Sequence, residues 1–138
     1  MSTMRVEVVS AEAEIFSGEA TMLIATAEAG DVGIYPQHTP MLTRLKAGDV
    51  RLQQEDGSEE VIYVSGGILE ITPKVVTVLS DTAMRADDID EAEALKAKEK
   101  AEQALKDTKA DMNYAKAKAD LAQAAAQLQA LKKIRKIR

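Results

Sequence analysis

Cysteine is absent from this 138-residue chain, which excludes disulfides, thiolate zinc sites and a cysteine nucleophile. A single histidine, His38, excludes an imidazole metal cage and a relay between paired histidines. Aromatic residues make up only 3% of the chain and tryptophan is missing. That is too few for base-stacking platforms or an interfacial membrane belt. No apolar run approaches the roughly 18–20 residues that a membrane span requires. The opening stretch Met1–Ser10 lacks the apolar core of a signal peptide. The net charge of −5, from 18 basic and 23 acidic side chains, supplies no basic field for nucleic acid. These absences predict a soluble, cytoplasmic protein of one domain, or one small domain plus an appendage, with a composition unlike an enzyme's.

What is present is unevenly placed. All seven glycines and all three prolines precede residue 85. Residues 85–138 contain neither, and 15 of those 54 residues are alanine. Residues 1–84 carry 5 basic and 13 acidic side chains, whereas residues 85–138 carry 13 basic and 10 acidic. Breaks in turn residues, alanine content and charge at one place predict two units, residues 1–85 and 86–138.

The first unit reads as all-β. Arg5–Val8 alternates, Thr21–Thr26 is an apolar run of buried-strand length, and Val50 with Leu52, Val61–Val64, Ile68–Ile71 and Val75–Leu79 continue the series. Turn clusters such as Glu55–Ser58, Ser65–Gly67 and Thr72–Lys74 separate them. Short β-branched segments at spacings of about 8–12 residues predict a sandwich or barrel rather than βαβ units. The second unit reads as helix. Asp87–Glu91 supplies an aspartate cap and an acidic first turn, and Ile89, Ala92, Ala97, Ala101, Ala104 and Leu105 form a stripe. Lys106–Asp111 interrupts it, and Asp111 is placed to cap a second helix from about Met112. Leu121, Ala125, Leu128, Leu131 and Ile134 then make one apolar face, and the run ends in basic residues that suit a helix C-terminus. The short connection predicts an antiparallel hairpin. The fold class is therefore α+β, a β-sandwich followed by a two-helix hairpin. Alanine buries roughly a third of the apolar area of leucine, so the hairpin is expected to be held weakly to the sandwich.

Catalytic constellations are sparse. His38 lies within Gly30–Pro40, a Gly- and Pro-dense loop, and the plain reading is a turn histidine bonding to its own loop. A general base would need a nucleophile and an orienting partner, which the sequence does not nominate. Gly30-x-x-Gly33 lacks the strand–turn–helix setting of a phosphate loop. The five basic residues within 132–138 read either as a dipole-matched helix end or as a contact for an acidic protein surface. Membrane anchoring would want more apolar bulk on the facing side.

The two-unit arrangement, together with Val8–Glu12, Ile15–Gly18, Gly30–Pro40, Ser65–Glu70 and Val76–Ala83, resembles the epsilon subunit family of bacterial F-type ATP synthases. The resemblance covers essentially the whole chain, and its most specific part is Gly-x-x-Gly-Ile-x-Pro-x-His-x-Pro over 30–40. It implies a noncatalytic rotor subunit at the foot of the central stalk, coupling proton flow to ATP synthesis. The sandwich would bind the gamma subunit on one side and the polar loops of the c-ring on the other. By resemblance, Glu28, Gly30, Asp31 and Gly33 face the c-ring, while Ser10 and His38 face gamma. The hairpin would act as a brake, folded beside the sandwich during turnover and extended among the alpha and beta subunits to oppose hydrolysis. Lys132, Lys133, Arg135 and Lys136 are the candidates for that inhibitory contact. The implied location is the cytoplasmic face of the bacterial inner membrane, peripherally, without membrane insertion or nucleic-acid binding.

Some members of the family hold ATP on the folded hairpin through Ile/Leu-Asp-x-x-Arg-Ala. Here the motif is Ile89-Asp90-Glu91-Ala92-Glu93-Ala94, with a carboxylate where the arginine would pair with phosphate. Lys96, Lys98 and Lys100 lack arginine's fork geometry. The expectation is weak or absent ATP binding at Ile89, Asp90 and Ala94, and no other cofactor. Two further classes remain open on the residues alone: an adaptor presenting its hairpin to another protein, and a small enzyme or binding barrel using His38.

Overall fold

The computed structural model describes residues 2–107 and 111–137. Nine strands come first: β1 (Met4–Ser10), β2 (Glu14–Ala20), β3 (Met22–Ala27), β4 (Gly30–Ile34), β5 (Met41–Gln53), β6 (Glu59–Val64), β7 (Gly67–Ile71), β8 (Val76–Ser80) and β9 (Ala83–Arg85). A 3-10 turn over Ala86–Asp88 leads into α1 (Glu91–Asp107) and α2 (Asp111–Ile137).

The strands form one open sheet folded over on itself. One layer runs β2-β1-β8-β7 to the first half of β5, and the other runs β4-β3 to the second half of β5, then β6 and β9. Only β1 and β8 pair in parallel; the other pairs are antiparallel. The link is β5, whose Met41–Leu45 half pairs with β7 and whose Gly48–Gln53 half pairs with β6. At the crossing, a Cβ on Gly48 would lie 2.7 Å from Thr26 Cβ, so glycine lets β3 and β5 approach. Period-two alternation sends Val6, Val8, Leu69, Ile71, Val76 and Val78 inward from one layer. Leu23, Ala25, Val50, Leu52, Ile62 and Val64 meet them from the other.

The strand reading of the sequence was incomplete. Val50 and Leu52 mark only the end of a 13-residue strand, and β2 and β9 lacked a β-branched run. Gly30–Ile34, expected in the loop, is strand β4, an edge strand paired with β3. Glycine and aspartate have poor strand propensity, but an edge tolerates them because only one side of the ladder must be satisfied. The irregular segment is confined to residues 35–40.

The hairpin forms a third layer. Glu93 N–H donates to Asp90 Oδ1 at 3.2 Å, so Asp90 is the aspartate that caps α1. The proposed cap at Asp111 lies outside the described side chains. The stripe expected on α1 is covered at Ile89, Ala101, Ala104 and Leu105 but not at Ala92 and Ala97, which are exposed, and Ala94 is buried in their stead. Nor does α2 have one apolar face. It packs on α1 and also on β5 and β6, so buried alanines occur around more of its circumference than a single stripe would give. Ala126, Ala130, Leu131 and Ile134 join Val61, Tyr63, Ala86 and Ile89 in a second hydrophobic core. Strand β6 is accordingly buried on both faces, Ile62 and Val64 toward the sandwich and Val61 and Tyr63 toward the hairpin. At the junction, Arg85 donates to Ile15 O at 2.8 Å, pairs with Glu60 at 2.9 Å and lies 5.9 Å from the Phe16 ring centroid.

Candidate interaction surfaces

The Glu28–Gly33 segment forms the β3–β4 hairpin at the far edge of the second layer. Glu28 N–H donates to Arg44 O at 3.1 Å, which ties the turn to β5. Gly30 has φ of 127°, a left-handed conformation that explains glycine without a partner. Gly33 differs: it has no positive φ, and nothing lies within 4 Å of where its Cβ would sit. Glu28 and Asp31 are exposed, so this edge carries two carboxylates beside bare backbone.

The structure does not bring Ser10 and His38 together. Ser10 ends β1 beside Ser65–Ile68 and Leu79–Asp81. His38 borders an open cleft with Thr3–Arg5 and Thr72–Val76, at the other end of β1. Each has a local task. Ser10 Oγ accepts from Glu12 N–H at 3.3 Å and Ala13 N–H at 3.2 Å, closing the β1–β2 turn. His38 N–H donates to Tyr35 O at 3.2 Å, and its Nδ1 lies 2.7 Å from Thr39 O. The turn-histidine reading thus holds.

Between these ends lies a surface the sequence reading missed. Leu42, Ile68 and Leu79 are 67%, 42% and 50% exposed on the outer face of the first layer. Ile68 sits opposite Leu79, and Leu79 opposite Val9, so three apolar residues form one cross-strand row. Continuous apolar runs such as Val75–Leu79 carried the signal, because a strand buried on one face alone should alternate.

The basic end of α2 is divided. Lys132 and Lys136 are exposed. Lys133 Nζ donates to Asp49 Oδ1 at 2.6 Å, and Asp49 is only 4% exposed. Arg135 pairs with Glu91 at the start of α1. The guanidinium, by hydrogen bond first and charge second, holds Glu91 below the usual glutamate range. Two of the four candidate cations therefore serve acidic groups of their own chain, a use the sequence reading did not weigh. The degenerate nucleotide motif is structural too. Ile89 belongs to the second core, Asp90 caps α1 and Ala94 is buried. The cleft between the helices is open, about 600 Å³, and Lys100 and Lys116 line it. Lys116 is paired with Asp120 at 2.9 Å.

Residues 3–86 match the family model of the ATP synthase delta/epsilon chain β-sandwich domain, and residues 87–132 match that of its long α-helix domain. The chain belongs to the ATP synthase epsilon family. It is 61% identical over 134 residues to the ATP synthase epsilon chain of Nitrosococcus oceani, covering 97% of this chain and 96% of that one. It is 54% identical to that of Nitrosospira multiformis, covering 99% and 98%. Against the Delftia acidovorans epsilon chain, identity is 53% over 138 residues with both chains fully covered. Among solved structures, a chain of the Euglena gracilis mitochondrial ATP synthase superposes with a TM-score of 0.85 at 17% identity, covering 95% of this chain and 82% of its own. One from Tetrahymena thermophila gives 0.63 at 13%, covering 94% and 97%. These two show the shared fold. As an epsilon-family chain, the protein is a noncatalytic subunit of the central stalk of an F-type ATP synthase. No described helix is long and apolar enough to cross a membrane.

Proposed function

We propose that the sandwich couples the gamma subunit to the polar loops of the c-ring, and that the helical hairpin brakes ATP hydrolysis when it leaves the sandwich. The c-ring contact is assigned to Glu28, Gly30, Asp31 and Gly33. Gly33 is the observation that carries it: its conformation suits any residue and its surroundings are empty. Close approach of a partner's backbone to this edge supplies the missing reason for glycine. The gamma contact is assigned to the outer sheet face, from Ser10 across Leu79 and Ile68 to Leu42, with His38 at its opposite margin. Apolar side chains in a row on an otherwise polar sheet face suit a stable protein interface. Lys132, Lys133, Arg135 and Lys136 would meet acidic surface on the alpha and beta subunits once the hairpin extends. The complex would sit at the cytoplasmic face of the bacterial inner membrane, with this chain peripheral. Glu93 argues against phosphate recognition by the hairpin.

Reconstitution with gamma and the catalytic complex tests the assignment. Full-length protein and a form ending at Ala86 should both bind gamma, and hydrolysis should rise with the shorter one. Failure of both to bind gamma would remove the stalk contact. An Asp31→Cys variant, at an exposed position of the same edge, should cross-link to the c-ring in the assembled synthase; labelling of gamma instead would reassign the β4 edge.

A further inference from the structure

We infer that the Asp49–Lys133 pair is the latch that selects the docked position of the hairpin, and that docking and braking compete for the same ammonium group. The inference rests on the braking role proposed above and adds the residue that governs it. Asp49 is one of two polar or charged residues that are buried among those described, the other being Ser80. It lies opposite Tyr63 of β6, on the strand face that carries Ala47 toward the second core. Its carboxylate contributes nothing to the sandwich interior. Without α2 above it, the group would be solvated at little cost. With α2 in place it is covered, and Lys133, 84 residues away in sequence, meets it at 2.6 Å.

A covered carboxylate makes docking conditional. The contacts of Ala126 and Ala130 are small-residue contacts that tolerate a slide or rotation of the helix. A buried charge does not, because any register that withdraws Lys133 leaves Asp49 desolvated and unpaired. The pair thus fixes which turn of α2 rests on β5. It also makes release self-consistent. When α2 lifts, Asp49 returns to water and Lys133 becomes available to an external acidic surface, so a partner that attracts Lys133 simultaneously removes the counterion that holds the hairpin down. Arg135 and Glu91, 60% and 44% exposed at the side chain, are screened by solvent and add less.

Asp49→Asn separates the two uses of Lys133, since it weakens docking and leaves the cation intact. In the full-length chain, amide exchange over residues 121–137 should accelerate by roughly tenfold to a hundredfold, below the full effect of a buried pair because Lys133 is one-third exposed. Exchange in β1 and β8 should not change. The exchanged pair Asp49→Lys with Lys133→Asp should recover protection of α2. In the reconstituted complex, Asp49→Asn should lower ATP hydrolysis by shifting the hairpin outward. Unchanged exchange in α2, equal loss of protection in β1 and β8, or an exchanged pair as open as the single variant would each overturn the latch. Faster exchange in α2 with hydrolysis unaltered would support the latch and count against the brake.

Discussion

Replacing Ile134 by alanine isolates the apolar part of hairpin docking. Ile134 is 5% exposed and sits in the second core with Val61, Tyr63, Ala86 and Ile89. Truncation removes three carbon atoms and leaves a void whose walls come from two separate elements, the helix and the sheet. In a well-packed core such a change costs about 2–5 kcal/mol. Here the walls belong to a surface-mounted helix that can settle, so the lower half of that range, about 2–3 kcal/mol, is expected. Because no described residue of α1 or α2 belongs to the sandwich core, the loss should fall on docking alone.

Hydrogen exchange under native conditions reads both cores at once. A penalty of about 2–3 kcal/mol corresponds to roughly a thirty- to hundred-and-fiftyfold rise in opening of α2. Amides of β1, β7 and β8 should keep their protection, since Val6, Val8, Leu69 and Val78 pack away from the hairpin. If β1 and β8 lose protection in proportion, the two cores are one cooperative unit and the hairpin cannot move independently. If α2 is unaffected, the contact that holds it lies elsewhere and the second core is incidental.

Other perturbations address other links. Gly67→Ala should prevent folding or destabilise it severely, because a Cβ would sit 1.9 Å from Leu79 O at φ 142°; urea denaturation measures the loss. Gly48→Val should cost about 1–3 kcal/mol by forcing Thr26 away from the β5 crossing, a typical overpacking penalty, read from the same midpoints. The Glu91–Arg135 pair sets a pH dependence. Glu91 is depressed in the folded chain, so its contribution is present above the unfolded glutamate range and is lost as pH falls through the depressed folded value. Glu91→Gln should flatten that acid limb in a titration of α2 exchange, and added salt should weaken it. Glu93→Arg should raise affinity of the isolated chain for ATP by roughly tenfold, by replacing repulsion with a charge-assisted bond; calorimetry showing no change would mean that the cleft cannot place a triphosphate there.

The change from strand to helix near residue 85 was legible because turn residues and alanine content change together there. The strands with β-branched residues, β1, β3, β6, β7 and β8, were equally plain. Strands β2, β4 and the first half of β5 were not, since Glu14, Gly30, Asp31, Arg44 and Lys46 lie on them. β2 and β4 are edge strands held by the preceding strands β1 and β3, and the first half of β5 by β7; in each case the partner enforces the strand and the segment's own composition carries no trace of it. The faces of the helices were only partly read, for a related reason. A single-stripe pattern assumes one partner, whereas α2 serves both α1 and the sheet. His38 and the aspartate cap at Asp90 were readable because their hydrogen bonds are local. The outer row Val9, Leu79, Ile68 required register, which only the folded sheet supplies.

The least legible element was the one with most bearing on mechanism. Alanine predicts weak docking because its side chain buries little area. The same small side chains bring α2 close enough to β5 for a lysine ammonium to reach a buried carboxylate. A leucine-rich face would hold the helix by area alone, tolerant of register and hard to release. An alanine-rich face gives a shallow apolar contribution, with Leu131 and Ile134 as its large anchors, and leaves selectivity to Asp49 and Lys133. Such an interface is specific without being strong. The basic tail reads in the sequence either as a dipole-matched helix end or as a contact for an acidic surface; Asp49 could not be recognised as a partner, because an isolated aspartate on a strand reads as a solvated group until α2 is seen to cover it.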